Sequence, residues 1–190
     1  MEYKNRYELQ ASIIKMKYIG MGSQATCYLD EEKQIVYKIF HPYLEDIFPN
    51  QYSTYDIMKF SEIKNNTFIW PNDVILVNNK IEGYILPYKH AKNLCYIDPL
   101  TNDLNEFEMG IHKALEDIKF LTEKNIAIND IVYNIMYTNA NFYVIDTIEY
   151  ENRKVSYNHN VEGFDYELKL FLTDGYFDDF IKVNRKLLEQ

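Results

Sequence analysis

The sequence predicts an α+β protein with two lobes: a sheet of five antiparallel strands with one helix in residues 1–88, and a short, mainly helical lobe in residues 89–190. In the first half, runs rich in β-branched and aromatic residues alternate with polar or glycine-containing turns, which is typical of antiparallel strands. In the second half, residues 106–124 carry apolar side chains at helical spacing, which indicates a long amphipathic helix.

Composition narrows the class of protein. A formal charge of -9 argues against nucleic-acid binding, because such proteins need a basic surface. No apolar run reaches the length of a membrane span, and the N-terminal residues lack the apolar core of a signal peptide, so we expect no membrane association and a cytoplasmic location. Cys27 and Cys95 lie far apart in the sequence, which is typical of reduced thiols in the cytosol.

The first three strands are predicted at residues 12–19, 26–29 and 34–40. The turn between the first two contains Gly20 and Gly22. Because glycine has no Cβ, the backbone of such a turn can approach a ligand closely. The third strand contains Lys38 inside the apolar run IVYKIF, which is typical either of a lysine on an edge strand or of a lysine that faces an anion.

A helix is predicted at residues 53–65, with Ser53 or Thr54 as its N-terminal cap. Glu62 falls on the apolar face of this helix, where a carboxylate needs a cation, and Lys38 is a candidate partner. The alternative is that Glu62 lies at the edge of this face and is solvated.

A second hairpin is predicted at residues 73–78 and 81–88, and Pro87 ends its second strand because proline cannot donate a ladder hydrogen bond. Beyond the helix at 106–124, a polar connection is expected at residues 151–160. Two short amphipathic helices are then predicted, separated by a glycine: residues 164–172, Gly175 and residues 177–188.

Residues 126–150 hold the most informative polar side chains, Asp130, Asn134 and Asp146. Asp146 directly follows the apolar run 142–145, and a charge at that place must be solvated, paired or bound to a metal. Carboxylate and amide oxygens suit a hard divalent cation. The alternative is that both aspartates are ordinary turn residues.

Taken in this order, these motifs resemble those of the protein-kinase-like superfamily of eukaryotic-type Ser/Thr/Tyr kinases, as a minimal and divergent member of bacterial type. The run GMGSQATC, which includes Gly20, Gly22 and Ser23, is similar to the family's glycine-rich loop, with Ala25 in place of its third glycine. Lys38 stands where the family has its strand lysine, and the resemblance implies an ion pair with Glu62.

The same resemblance assigns the remaining site. Residues 85–88 would form the hinge beside the adenine, with Leu86 and Tyr88 as nucleotide contacts. Asp130 would be the catalytic base, and Asn134 and Asp146 would hold Mg²⁺.

The resemblance implies transfer of phosphate from Mg-ATP to a hydroxyl acceptor, either a protein or a small molecule. The turn backbone at Gly20, Gly22 and Ser23 would cover the phosphates, and Lys38 would hold the α- and β-phosphates.

Several departures keep an alternative open. The family places its asparagine five residues after the catalytic aspartate, whereas Asn134 follows Asp130 by four residues. If Asn129 occupies the aspartate position instead, the protein is a pseudokinase that senses nucleotide or binds other proteins. Ile148 replaces the glycine that follows the metal-binding aspartate, the A-P-E motif is missing, and only about forty residues follow Asp146.

Two further hypotheses remain. The resemblance is a coincidence in a small α+β binding domain, or the short second lobe exposes aromatic surface that binds a second copy or a partner protein.

Overall fold

The structure is a computed structural model of the 190-residue chain, and it describes residues 1–47 and 52–188. The chain forms two compact units. The first contains Met1–Lys64 and Trp70–Lys89, and the second contains Asn65–Ile69 and His90–Gln190. The predicted α+β class is confirmed.

A six-stranded mixed sheet forms the centre of the first unit. Its strands are β1 (Glu2–Tyr3), β2 (Lys17–Met21), β3 (Ala25–Asp30), β4 (Ile35–Phe40), β5 (Asp73–Val77) and β6 (Lys80–Pro87). They lie in the order β1-β5-β6-β4-β3-β2. The five predicted strands are present as β2 to β6 and pair antiparallel, but β1 adds a parallel neighbour to β5, so the prediction of a five-stranded, purely antiparallel sheet is wrong.

The start of the first unit differs from the prediction. Residues 12–19 were expected to be one strand, but α1 (Arg6–Ile13) takes up the first part and β2 begins at Lys17. Asn5 caps α1 by accepting a hydrogen bond from the Glu8 N–H at 3.0 Å. Leu9 of α1 is buried against the sheet, so packing as well as capping stabilises this helix.

Two further helices belong to the first unit, α2 (Pro42–Ile47) and α3 (Thr54–Met58). Ser53 caps α3 as predicted and forms a capping box with Asp56. The helix is much shorter than the predicted 53–65. Ser61 donates hydrogen bonds from both its N–H and its hydroxyl to the Met58 carbonyl, at 3.0 and 2.8 Å. These bonds occupy the carbonyl of the last helical residue, which a longer helix would pair with the N–H four residues later.

The two faces of β4 have different surroundings. Tyr37 lies in a buried cluster with Leu9, Ile75, Val77 and Ile85. Because side chains alternate along a strand, Lys38 points to the opposite face of the sheet. This alternation separates the candidate lysine from the α1 core.

The second unit combines two long helices with short strands. The helices are α4 (Leu104–Glu123) and α5 (Tyr157–Leu188), and the strands are β7 (Lys92–Asn93), β8 (Ile126–Ala127), β9 (Ile135–Thr138), β10 (Asn141–Val144) and β11 (Glu151–Asn152). Strands β10, β9 and β7 form one small sheet, and β11 pairs with β8 in another.

The long helix predicted at residues 106–124 is confirmed as α4, whose Phe107 packs on Tyr137 and Phe142 with ring centroids 5.2 Å away in each case. The two short helices predicted around Gly175 are instead one continuous helix, α5. A glycine costs a helix only about 1 kcal/mol, which does not suffice to break it. Among the described residues, no helix combines the length and hydrophobicity that a bilayer crossing needs.

Candidate functional site

The glycine-rich turn joins β2 to β3 through residues 22–24. The Gly22 N–H donates to the Ala25 carbonyl at 2.9 Å, and Gly20 pairs with Cys27. Neither glycine has a positive φ, and a Cβ built on either would meet nothing within 4 Å. The fold therefore does not require glycine at these two places, and their missing side chains leave space beside the turn.

The turn is tied to the start of α2 by residues that sequence reasoning missed. The His41 N–H donates to the Gln24 carbonyl at 2.8 Å, and His41 Nε2 lies 3.1 Å from the Gly22 carbonyl oxygen. The Tyr43 hydroxyl donates to the Ser23 carbonyl, and the His41 and Tyr43 rings stack. His41 and Tyr43 thus contact the carbonyls of three consecutive turn residues.

Lys38 lies in the middle of the sheet. Its strand, β4, pairs with β3 on one side and β6 on the other, so the edge-strand alternative is wrong. Its cross-strand neighbours are Cys27 and Tyr84, and its Nζ lies 5.4 Å from the centroid of the buried Tyr84 ring. An ammonium group over an aromatic face is stabilised electrostatically while it remains a cation.

Gly83 is a second residue that sequence reasoning missed. A Cβ at this position would lie 2.1 Å from the Lys38 carbonyl oxygen, so only glycine allows β6 to approach β4 this closely. A glycine inside a predicted strand was the available signal.

The two residues predicted for the hinge, Leu86 and Tyr88, and the predicted ion-pair partner Glu62 lie in different surroundings. Leu86 is buried opposite Val36, whereas the Tyr88 N–H donates to the Gln34 carbonyl at 2.9 Å. That N–H serves the fold, so a nucleotide contact of Tyr88 falls to its carbonyl or its ring. Glu62 lies in a turn after α3 with an exposed side chain, so its predicted place on the face of a helix is wrong.

In the second unit, Asp130, Asn134 and Asp146 come together. Asn134 Nδ2 donates to the Asp130 carbonyl at 2.8 Å, and the Ile145 N–H donates to the Asn134 carbonyl at 2.9 Å. Asp146 follows Ile145 directly. A side-chain amide nitrogen only donates hydrogen bonds, so the Oδ1 of Asn134 is the atom suited to a cation.

The charges of both aspartates affect a buried tyrosine, Tyr150. Burial, followed by the negative charges of Asp146 and then Asp130, raises the pKa of Tyr150 well above its usual value. Both carboxylates therefore act on one buried phenol. Asp130 and Asp146 also have left-handed backbones, with φ of 50° and 64°, a conformation that aspartate tolerates better than most residues.

Asn129 and Asp130 differ in their surroundings. Asn129 is partly buried, and its Nδ2 donates to the Glu149 carbonyl at 3.0 Å. Asp130 is exposed. The amide of Asn129 thus serves the local fold, while the carboxylate of Asp130 faces solvent.

Two buried polar side chains of α5 support this loop and were also missed. Asn160 accepts a hydrogen bond from the Ile128 N–H and donates to the Ile126 carbonyl, each at 2.8 Å. Glu167 accepts one from the Tyr133 N–H at 3.1 Å. Their spacing puts both on the buried face of the helix with Phe164. A polar residue at a position of the apolar face was the sequence signal that could have identified them.

Within residues 1–47 and 52–188, no three or more His, Cys, Asp or Glu side chains form a group that could hold a metal ion. The predicted metal pair, Asn134 and Asp146, contains only one of these residue types. No family model matches this chain, and no curated protein matches its sequence at a significant level.

Proposed function

We propose that this protein is an Mg-ATP-dependent phosphotransferase that transfers the γ-phosphoryl group to a hydroxyl acceptor. The observation that carries the proposal is the position of Asn134: its Nδ2 donates to the Asp130 carbonyl, and its own carbonyl accepts from Ile145, the residue before Asp146. The interior position of Lys38 adds support, because an ammonium group in the middle of a sheet suits an anionic ligand.

The donor atoms fit magnesium. Mg²⁺ binds oxygen ligands and takes one or two from the protein, with phosphates and water supplying the rest. Asp146 and the Oδ1 of Asn134 would hold it, and the ion would neutralise charge on the phosphates.

Asp130 has the chemistry of a general base. It orients the acceptor hydroxyl and takes its proton as the oxygen attacks the γ-phosphorus. A new oxygen–phosphorus bond forms, the bond from the γ-phosphorus to the bridging oxygen breaks, and ADP leaves with that electron pair. In the first unit, Lys38 and the turn at Gly20–Gly22 would supply the phosphate contacts that the resemblance implies.

A catalytically inactive nucleotide sensor is the second candidate. The position of Glu62 in an exposed turn favours it, because the ion pair that extends the lysine in active kinases needs a carboxylate on a helix. Such a protein binds ATP and transfers no phosphate.

Mg-ATP binding and turnover test the proposal. We expect a nucleotide at 100 times its dissociation constant to stabilise the wild type by about 2.7 kcal/mol in thermal unfolding. Lys38→Met should remove most of this gain, while Lys64→Met, at an exposed position, should keep it. Asp130→Asn should lower the rate of phosphate transfer by about 100-fold or more while retaining ATP binding.

The absence of any stabilisation at millimolar ATP contradicts both candidates. Binding without transfer, with equal behaviour of wild type and Asp130→Asn, favours the nucleotide sensor.

A further inference from the structure

Tyr133 lies in the loop between Asp130 and Asn134 and has a left-handed backbone with φ of 63°. A tyrosine rarely adopts this conformation, because its Cβ crowds the backbone. Its side chain is 62% exposed, so packing of the ring does little to offset the strain. Other contacts must hold this residue in place.

Two side chains bind the backbone of Tyr133, one at its N–H and one at its carbonyl. The Glu167 carboxylate accepts a hydrogen bond from its N–H at 3.1 Å, and Asn93 Nδ2 donates to its carbonyl at 2.7 Å. Asn93 is itself held, because its Oδ1 accepts from the Cys95 N–H at 3.0 Å.

Glu167 is an unusual residue for its position. It is only 3% exposed, on a face of α5 that it shares with Phe164, Leu168 and Phe171. Burial raises the pKa of its carboxyl group, and the hydrogen bond from Tyr133 acts in the opposite direction. A buried carboxylate is unfavourable unless hydrogen bonds offset its lost hydration, and the hydrogen bond from Tyr133 offsets part of that loss.

We propose that Glu167 is the positioning residue of the 130–134 loop: it holds Tyr133 in its left-handed conformation and thereby sets the places of Asp130 and Asn134 on either side. The link continues through the 2.8 Å hydrogen bond from Asn134 Nδ2 to the Asp130 carbonyl, so a shift of Tyr133 moves both residues. This inference rests on the proposed phosphotransferase function and adds a residue outside the set that would contact nucleotide or metal.

The test compares Glu167→Met, which keeps a similar side-chain length but removes the carboxylate acceptor, with Glu167→Gln, which keeps an acceptor oxygen. Leu168→Ala is the matched control, because it weakens the same buried face of α5 without a hydrogen bond to the loop. Amide exchange of Tyr133 by NMR reports on the loop, and ATP affinity and Mg-ATP turnover, with water or the protein itself as acceptor, report on the site.

In Glu167→Met we expect the Tyr133 amide to exchange about tenfold faster or more. Turnover should fall about tenfold to 100-fold, since small displacements of catalytic groups are costly, while the affinity for ATP changes about twofold or less. Glu167→Gln should keep the exchange rate of the Tyr133 amide and the turnover near their wild-type values. Leu168→Ala should lower the melting temperature without changing the exchange rate or the turnover.

Unchanged exchange of the Tyr133 amide in Glu167→Met overturns the inference, as does an equal loss of turnover in Leu168→Ala. If the wild type neither binds nor turns over Mg-ATP, the proposed function fails on its own account. The exchange rates of the variants then decide whether Glu167 holds the loop.

Discussion

Tyr133 shows how one residue departs from its own conformational preference. Left-handed backbone costs an ordinary residue about 1–2 kcal/mol, and the exposed ring provides little burial in return. A residue that strains the fold and does not pack within it indicates that the conformation is needed for something else.

We therefore expect Tyr133→Asn to stabilise the protein by about 0.5–1 kcal/mol, because asparagine tolerates positive φ. Urea unfolding at pH 7 measures the change. Tyr7→Asn, at a position 83% exposed in α1, is the control and should alter stability by about 0.5 kcal/mol or less. A loss of stability above about 1 kcal/mol in Tyr133→Asn would show that the ring packs within the fold.

The candidate site could be predicted from sequence only as separate residues. Asp130 and Asp146 were visible because each is a charge beside an apolar run, and Lys38 because it interrupts one. The engagement of the Asn129 amide with the Glu149 carbonyl was not predictable, because it joins residues that are close only after folding.

Among the elements, α5 packs directly against the candidate loop. A Cβ on Gly163 of this helix would lie 2.0 Å from Cγ2 of the buried Ile131. Glycine at this position allows the helix and the loop to approach closely, which outweighs its poor helix propensity.

We expect Gly163→Ala to lower the free energy of unfolding by about 1–2 kcal/mol, because overpacking outweighs the gain in helix propensity. The neighbouring exposed site provides the control, Glu162→Ala, which should change stability by about 0.5 kcal/mol or less.

Adding Ile131→Ala to Gly163→Ala provides a double-mutant cycle. The two changes should couple favourably by about 1 kcal/mol, since the smaller side chain makes room for the new methyl group. Additive effects would mean that Gly163 and Ile131 do not press on each other.

The elements that sequence predicted well are those with long, regular patterns. Helix α4 has an uninterrupted apolar stripe, and strands β3 to β6 are short apolar runs between clear turns. The weaker predictions concern α3 and α5, where the end of a helix had to be predicted from a few local residues. In α3 a serine side chain engages a carbonyl where the helix ends, and in α5 a single glycine does not interrupt the helix.

At the scale of the whole molecule, each compact unit contains buried tyrosines, among them Tyr37 in the first and Tyr150 in the second. Burial, with a further contribution from Tyr3, raises the pKa of Tyr37, and burial with Asp146 and Asp130 raises that of Tyr150. In the unfolded chain both phenols ionise near pH 10. Each neutral phenol therefore contributes stability that is complete below pH 10 and is lost as the pH rises towards its folded pKa.

We expect the free energy of unfolding of the wild type to fall between pH 8 and 10.5. In Tyr37→Phe this decline should be smaller by about 0.8 kcal/mol at pH 10.5. The substitution removes a group that titrates only in the unfolded state over this range. Urea unfolding at both pH values measures the difference, and the exposed Tyr7→Phe should match the wild type. A decline in Tyr37→Phe as steep as that of the wild type would contradict the burial argument.

The sequence by itself determined the α+β class, most strands of the first unit, helix α4 and the order of the polar motifs, because these depend on periodicity and turn residues within a short stretch of chain. Tertiary structure alone decided that β4 is an interior strand, so that Lys38 is not an edge lysine. It also placed Asp130 and Asp146 where their charges act on one buried phenol, and it placed Glu167 against the backbone of Tyr133 in the 130–134 loop. These relations depend on strand order and on helix packing between distant segments, and such contacts leave no periodic signal in the residues that make them.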